Sequence, residues 1–311
     1  MNVNLRIMFD ITVIGAGPAG LAAGTYSAFF GLQTLILESG KQAGGRMLKA
    51  RKIVNYLGFP EKVTGRELAT KMARQAQGAG AQLSTSEKVV SLLCNREIHA
   101  ETNRDVYDTK ALILATGAGM KGLGLDGETW FGDGVSYCSQ CNAPVVEGMD
   151  IIVIGNVETA VDEAIYLSNI ANRVRLVNHA DAISIEAKAR DGLQKSKVKL
   201  VEGFVGEAIK GEPPRMQLVL RSMRNSATEK LTANVLCIVS PLIPFVSALR
   251  KAGIATHRAG CVAVDEFGRT NIKGVFAAGS CASTRKDIVP SCVGDGTTVA
   301  AYACLYVKNK L

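Results

Sequence analysis

Aromatic residues are scarce in this sequence, and long apolar runs are missing. Aromatics make up 5% of the 311 residues, and Trp130 is the sole tryptophan. That leaves no array of aromatic and basic side chains for stacking on bases, and neither a helix-turn-helix pattern nor a zinc-finger spacing is present. No nucleic-acid partner is expected. The longest apolar stretch, Val235 to Val246, is broken by Ser240, Pro241 and Pro244. It falls short of the ~18 residues that a membrane-spanning helix needs. No charged segment followed by an apolar region and a cleavage site opens the chain. A cytoplasmic protein without membrane association is therefore expected. Of the 8 cysteines only one pair is closely spaced, which excludes a small disulfide scaffold. His179 and His257 are far from that pair and no second C-x-x-C exists, so no metal is expected.

Glycine and positive charge are plentiful instead. Thirty-two glycines without a period indicate many tight backbone turns, as in nucleotide-binding folds. The length suits two domains of ordinary size. The formal net charge of +8 suggests either a merely basic surface or an acidic partner.

The first motif spans residues 10–38. Ile11 to Ile14 form a short apolar run typical of a buried parallel strand. Gly15-Ala16-Gly17-Pro18-Ala19-Gly20 follows directly, then a helical pattern from Leu21 to Phe30 that Gly31 stops. A second strand, Thr34 to Leu37, ends at Glu38. This is a whole dinucleotide-binding unit. Gly15 permits the tight turn, Gly17 lets the backbone approach a pyrophosphate, and Gly20 lets helix and strand pack closely. The helix N-terminus offers donors to phosphate, and Glu38 can accept hydrogen bonds from a ribose.

The motif returns 140 positions on, in altered form. Ile151 to Ile154 repeat the strand and Gly155 repeats Gly15, but Val157 stands for Gly17 and Ala160 for Gly20. The helix Val161 to Ser168 and the strand Val174 to Val177 follow, and Asn178 replaces Glu38. No arginine pair is present to clamp a ribose 2′-phosphate, and Asp181 would repel one. A nicotinamide site with variant residues is one reading. A site that has lost nicotinamide nucleotide is the other, and defects in three parts of one fingerprint favour it.

Between the two units lies Tyr137-Cys138-Ser139-Gln140-Cys141-Asn142. A C-x-x-C sets two sulfurs about a helical turn apart, which suits a reversible disulfide. Alone, the motif leaves two buried cysteines or half a zinc site open. Between two nucleotide-binding units it points to redox chemistry.

Together these residues resemble the low-molecular-weight thioredoxin reductases, two-dinucleotide-domain flavoproteins, over nearly the whole chain. The resemblance implies an α/β fold: two Rossmann-like, three-layer ββα dinucleotide-binding domains, the second inserted into the first. Residues 1–119 and 244–311 would bind FAD, and residues 120–243 would carry the redox disulfide and a vestigial NAD(P)H unit. Met120 to Gly124 and Ser240 to Pro244 would connect them. Gly15, Gly17, Pro18, Ala19, Gly20 and Glu38 look like the adenosine and pyrophosphate site. Gly44-Gly45-Arg46-Met47 is similar to a Gly-Gly-Gln segment beside the flavin, with Arg46 at the glutamine position. Asn55 opens a loop similar to an Asn-aromatic-Pro-Gly loop. Thr116 and Gly117 end the strand that returns to FAD. Gly279 closes a Val-Phe-Ala-Ala-Gly segment, and Ser280 stands where the family has an Asp for the ribityl chain. Gly294-Asp295-Gly296 resembles the start of the last helix.

Cys141 would be the flavin-proximal sulfur and Cys138 the thiol that attacks the substrate disulfide. Asn142 replaces the family's acid after the second cysteine. The altered second unit and the basic chain fit best the subset that takes electrons singly from ferredoxin, a small acidic protein. The resemblance further implies a homodimer acting on thioredoxin or a similar protein; no fused thioredoxin domain and no C-terminal redox pair are expected from the sequence. Arg285 and Lys286 are the first candidates for docking the donor. Open alternatives are an NAD(P)H-dependent reductase with a variant site, a flavin oxidase forming disulfides with oxygen, and a non-enzymatic flavin sensor. His99, His179 and His257 read as solvent-facing or structural.

Overall fold

A computed structural model describes residues 7–50, 52–95, 97–120, 122–128, 134–137, 146–179, 187–240, 242–244, 251–257, 260–282 and 288–310. In chain order its strands are β1 (Ile7–Ile14), β2 (Thr34–Leu37), β3 (Gln82–Ser84), β4 (Val89–Cys94), β5 (Ile98–Thr102), β6 (Val106–Leu114), β7 (Ala118–Met120), β8 (Val135–Ser136), β9 (Asp150–Gly155), β10 (Arg173–His179), β11 (Val198–Lys210), β12 (Met216–Ser222), β13 (Thr228–Ala233), β14 (Val235–Val239), β15 (Leu242–Pro244) and β16 (Val275–Ala277). The described α-helices are α1 (Pro18–Phe29), α2 (Gly65–Gly78), α3 (Thr159–Ser168), α4 (Ala187–Lys195) and α5 (Val289–Val307). The chain divides into unit 1, Met1–Gly119 with Ile243–Leu311, and unit 2, Met120–Leu242.

Unit 1 is built on a sheet in the order β3-β2-β1-β6-β5-β4, with β16 also paired to β6. The strands β3, β2, β1, β6 and β16 run parallel, while β5 and β4 form an antiparallel extension. Ile11, Val13, Ile36, Ile113 and Phe276 are buried in one core with the helices. The helix α1 is rich in alanine and glycine because it is packed tightly: a Cβ on Gly24 would come 2.2 Å from Ile36 Cδ1. The start of α2 is fixed by Thr64, whose Oγ1 accepts the Glu67 N–H at 3.1 Å.

Unit 2 repeats the plan with a sheet ordered β13-β12-β11-β10-β9-β14-β8. The strands β11, β10, β9, β14 and β8 are parallel, and β12 and β13 fold back antiparallel. Ile151, Val153, Val161, Leu167 and Leu176 pack on one face, and Ile152, Ile154, Leu218 and Leu236 on the other. Both sheets have the doubly wound form in which ligands bind at the carboxyl ends of the strands.

Several sequence expectations shift. The first strand begins at Ile7 rather than Ile11, because Ile7 and Met8 keep pairing with β6. The strand expected to end at Thr116 and Gly117 runs over 106–114, and Gly117, at φ 69°, stands beyond it. The helix expected from Val161 begins at Thr159. The last helix starts at Val289, so Gly294-Asp295-Gly296 lies inside it rather than at its start. The connecting strands are Ala118–Met120 and Leu242–Pro244, which pair as a separate two-stranded sheet. Gly122 and Gly124, at φ 68° and 75°, take a conformation no strand admits.

Candidate functional site

The carboxyl edge of the unit 1 sheet gathers most of the expected cofactor residues. After β1 the chain turns at Gly15, at φ 102°, where a Cβ would strike the Ala115 carbonyl oxygen at 2.3 Å. Gly17 is the N-cap of α1, and Pro18 occupies the first helical position, where its missing N–H costs no intrahelical bond. A Cβ on Gly20 would come 1.8 Å from the Gly15 carbonyl oxygen, so only glycine lets the helix begin this close to the turn. A Cβ on Gly17, by contrast, would meet nothing within 4 Å. The space beside Gly17 is open, and the first backbone N–H groups of α1 point toward the N-terminal end of the helix.

Three further segments wall this turn. The loop after β2 is tied to it by the Gly44 N–H, which donates to the Ala16 carbonyl at 2.7 Å. A Cβ on Gly45 would lie 3.3 Å from Gly17 Cα. After β16, Gly279 backs onto Ala19, where an added Cβ would come within 2.8 Å of the Ala19 Cβ. From α5, Gly296 approaches so closely that an added Cβ would be 2.1 Å from the Ala19 carbonyl oxygen. Arg46 and Ser280, from two of these walls, meet: Arg46 Nη2 donates to Ser280 Oγ at 3.1 Å. Thr116 and Gly117 follow β6 at the same edge, with Thr116 beside the buried Cys281 thiol.

Glu38 stands at the end of β2. Its carboxylate accepts the Ala16 N–H at 2.9 Å and the Gly40 N–H at 2.7 Å, which holds it in place. Each carboxylate oxygen has a second lone pair, so Glu38 can still accept a ribose hydroxyl. Asn55 is half-buried in the loop before α2, and no described hydrogen bond joins it to this edge. The edge fits a dinucleotide: Gly15 and Gly20 are glycine where a Cβ would clash, and Gly17, where a Cβ would meet nothing, lies at a helix N-terminus.

The matching edge of unit 2 is built differently. Gly155 ends β9, and Glu158 is the N-cap of α3, placing a carboxylate where the first unit has Pro18. Val157 is half-exposed in the turn. Asn178 is 2% exposed, so the position equivalent to Glu38 faces the interior. His179 Nδ1 accepts the Gly206 N–H at 3.1 Å, which leaves the ring proton on Nε2. Burial holds His179 below the usual histidine range, partly opposed by the Glu128 carboxylate.

Cys138, Cys141, Asn142, Asp181, Arg285 and Lys286 lie outside the described residues. The residue before the redox motif is described, and it exposes a group that the sequence alone did not single out. Glu128 accepts the Leu123 N–H at 2.9 Å and the Leu125 N–H at 3.0 Å, and Tyr137 donates its hydroxyl to the same carboxylate at 3.0 Å. Burial, then the charge of Glu128, pushes the Tyr137 phenol up, so it stays a protonated donor. The available signal was glycine: Gly122, Gly124 and Gly127 all take positive φ around that carboxylate.

His99 is not solvent-facing: its Nδ1 lies 2.5 Å from Asp108 Oδ1, and the side chain is largely buried. Burial pushes the Cys237 and Cys281 thiols up and makes them poor nucleophiles. Among the described residues no group of three or more His, Cys, Asp or Glu could hold a metal ion, and no helix is long and apolar enough to cross a membrane.

A family model described as Pyridine nucleotide-disulphide oxidoreductase matches residues 9–296. The thioredoxin reductase of Treponema pallidum is 30% identical over 303 residues, covering 97% of this chain and 98% of the relative. A protein named 34.2 kDa protein in rubredoxin operon, from Clostridium pasteurianum, is 33% identical over 306 residues, with 97% and 98% covered. The crystal structure of thioredoxin reductase from Streptococcus pyogenes is similar with a TM-score of 0.90 at 27% identity, covering 98% of this chain and 99% of that one.

Proposed function

The chain belongs to the pyridine nucleotide-disulphide oxidoreductases, as a thioredoxin reductase-type flavin disulfide oxidoreductase whose cofactor is FAD, and from that premise we propose that its electrons come from ferredoxin rather than from NADPH or NADH. The observation that carries this reading is the turn after β9. Val157 occupies the position that must be bare for a pyrophosphate to approach, Glu158 puts negative charge at the helix N-terminus, and Asn178 is buried. The net charge of +8 suits an acidic one-electron carrier.

In this reading unit 1 holds FAD through Gly15, Gly17, Pro18, Ala19, Gly20, Glu38, Gly45, Arg46, Thr116, Gly117, Gly279 and Ser280, with Asn55 in the neighbouring loop. Bound FAD supplies the conversion of single electrons into the pair that a disulfide needs. The Cys138 thiolate attacks the disulfide of thioredoxin or a similar small protein, forming a mixed disulfide and releasing one substrate thiolate, which takes up a proton. Cys141 then attacks the Cys138 sulfur and frees the second substrate thiol. The Cys138–Cys141 disulfide that remains is reduced again by two electrons and two protons. A homodimer belongs to the same proposal. Tyr26, Phe29 and Phe30 expose an aromatic cluster on and beside α1, with ring centroids 6.1 and 6.5 Å from Tyr26, that a second copy could cover. The free thiols Cys94, Cys237, Cys281 and Cys304 support a reducing, cytoplasmic setting.

Anaerobic titration with NADPH, NADH and reduced ferredoxin, followed by flavin absorbance, tests the donor. Ferredoxin should bleach the flavin, and less quickly as salt rises, because steering over a Debye length of about 8–10 Å is screened. Rapid bleaching by NADPH would overturn the reading.

A further inference from the structure

We propose that the loop closed by Ile53 and Val63, with the lysines beside it, is the docking surface for a small acidic electron-carrier protein, an inference that rests on the donor reading above. Positive charge is not spread evenly along the chain. Nine lysines and arginines and two glutamates lie within residues 41–74, a net +7 in 34 residues, while the other 277 residues carry a net +1. Like charges this dense repel one another and weaken the fold, and an oppositely charged partner relieves that repulsion. Lys49, Lys52, Lys62 and Arg66 are exposed. Lys71 meets one of the two glutamates, Glu67, at 3.4 Å.

The charge accompanies a fixed apolar tip. The Ile53 N–H donates to the Val63 carbonyl at 2.7 Å and the Val63 N–H to the Ile53 carbonyl at 3.2 Å, which closes the loop 53–63 at its base. Lys52 and Lys62 directly precede the two members of that pair. Within the loop the Phe59 N–H donates to the Tyr56 carbonyl at 3.2 Å, and the two rings stand 5.9 Å apart. Both rings pack against the core of Met47, Ile53, Val63 and Leu68. Leu57, between these pinned aromatics, is left out of that core and is 96% exposed. A lone exposed leucine is ordinary. A leucine held at the tip of a pinned loop, with cations at the base, has the apolar centre and charged rim of a small redox interface. The same segment starts at the cofactor edge: the Gly44 N–H donates to the Ala16 carbonyl at 2.7 Å, and Gly45 abuts Gly17. A carrier seated here is on the unit that binds the flavin.

The test uses the FAD-loaded full-length protein and ferredoxin as the probe, with binding measured by calorimetry and flavin reduction by anaerobic stopped flow at low and high salt. Lys52→Glu with Lys62→Glu should slow association with ferredoxin by roughly tenfold or more at low salt and should approach the parent at high salt. The control pair Lys197→Glu with Lys230→Glu makes the same change in net charge on exposed positions of unit 2 and should slow association by less than about threefold. Leu57→Ser should weaken binding by roughly threefold to tenfold at every salt concentration, since it removes apolar contact and no charge. Flavin content and reduction by dithionite should match the parent in all variants, which shows that each is folded. Equal slowing by the two charge-reversed pairs would overturn the surface, and so would rates within twofold of the parent in the Lys52 and Lys62 variant. A parent dimer that Leu57→Ser converts to a monomer would show that a second copy covers the loop, and would overturn the surface too. Ferredoxin that binds the parent at this loop without reducing its flavin overturns the donor reading alone. Ferredoxin that neither binds nor reduces the parent overturns both.

Discussion

In unit 1 a Cβ on Gly20 would come 1.8 Å from the Gly15 carbonyl oxygen, whereas in unit 2 the equivalent Ala160 carries that Cβ and packs at 2.6 Å from where a Cβ on Gly155 would sit. Gly15 takes φ 102°, and Gly155 stays outside the left-handed region. The strands on either side are indifferent to this. Ile11 to Ile14 pair in parallel with Thr34 to Leu37, and Ile151 to Ile154 pair in the same way with Val174 to Val177. The cores are equally dry: Ile11 and Val13 in one unit, Ile151 and Val153 in the other, are fully buried. The fold is therefore held by the apolar strands and helices, and nucleotide chemistry by a handful of turn positions that the core does not need. One turn can lose its ligand chemistry while its sheet stays whole.

The largest expected effect comes from exchanging the tightest position. Gly20→Ala should cost about 3 kcal/mol, since the new methyl meets backbone that cannot yield, and it should expel FAD. Ala160→Gly should cost only about 1 kcal/mol, the helix-propensity difference. Thermal unfolding of flavin-free proteins, with flavin content measured separately, gives both. Equal destabilisation by the two exchanges would mean that the turns are not different in kind.

A second exchange separates ligand from fold. Gly17→Val should abolish FAD retention yet leave the flavin-free protein within about 1 kcal/mol of the parent, because the valine projects into open space and Gly17 has an ordinary φ of −73°. The reverse change, Val157→Gly, should not restore reduction by NADPH, since Glu158 and the buried Asn178 remain. Rapid flavin bleaching by NADPH in Val157→Gly would reduce the difference between the units to a single side chain.

Much of this was legible in the sequence because glycine spacing and apolar runs report local geometry. The strand Thr34–Leu37 appears with the bounds its apolar residues and flanking turns suggest. What was not legible depends on long-range meeting. The Arg46–Ser280 hydrogen bond joins residues 234 apart, and the two departures looked independent in the sequence. Glu128 looked like an ordinary acid until its carboxylate proved to hold two loop amides and the Tyr137 hydroxyl. Helix starts also shifted: proline and valine inside 289–293 gave no sign that α5 begins before Gly294. Periodicity finds elements, while contacts between distant turns are set by tertiary packing.

The smallest expected effect is a difference in how the two units respond to acid. In unit 2, burial keeps His179 neutral, against the partial opposition of Glu128. Its folded pKa lies below the unfolded value of about 6.5. Between the two values the unfolded chain binds more protons, so stability falls as pH drops below about 6.5. In unit 1 one buried carboxyl group is Glu87. Burial alone would raise it, but hydroxyl donors from Ser84, Thr102 and Tyr107 outweigh that and hold it below the usual glutamate range. The stability Glu87 contributes is present above its unfolded pKa of about 4.3 and is lost only as pH falls through its lower folded value. Unit 2 should thus weaken first. Denaturant unfolding followed by Trp130, which lies in the unit 2 segment, should show a midpoint that falls between about pH 7 and 5.5, while flavin release from unit 1 holds steady. His179→Asn keeps an oxygen that can accept the Gly206 N–H and removes the titration, so its midpoint should stay flat over that range. A variant that follows the parent would show that another group weakens unit 2. A parent whose midpoint does not move would remove this distinction between the units.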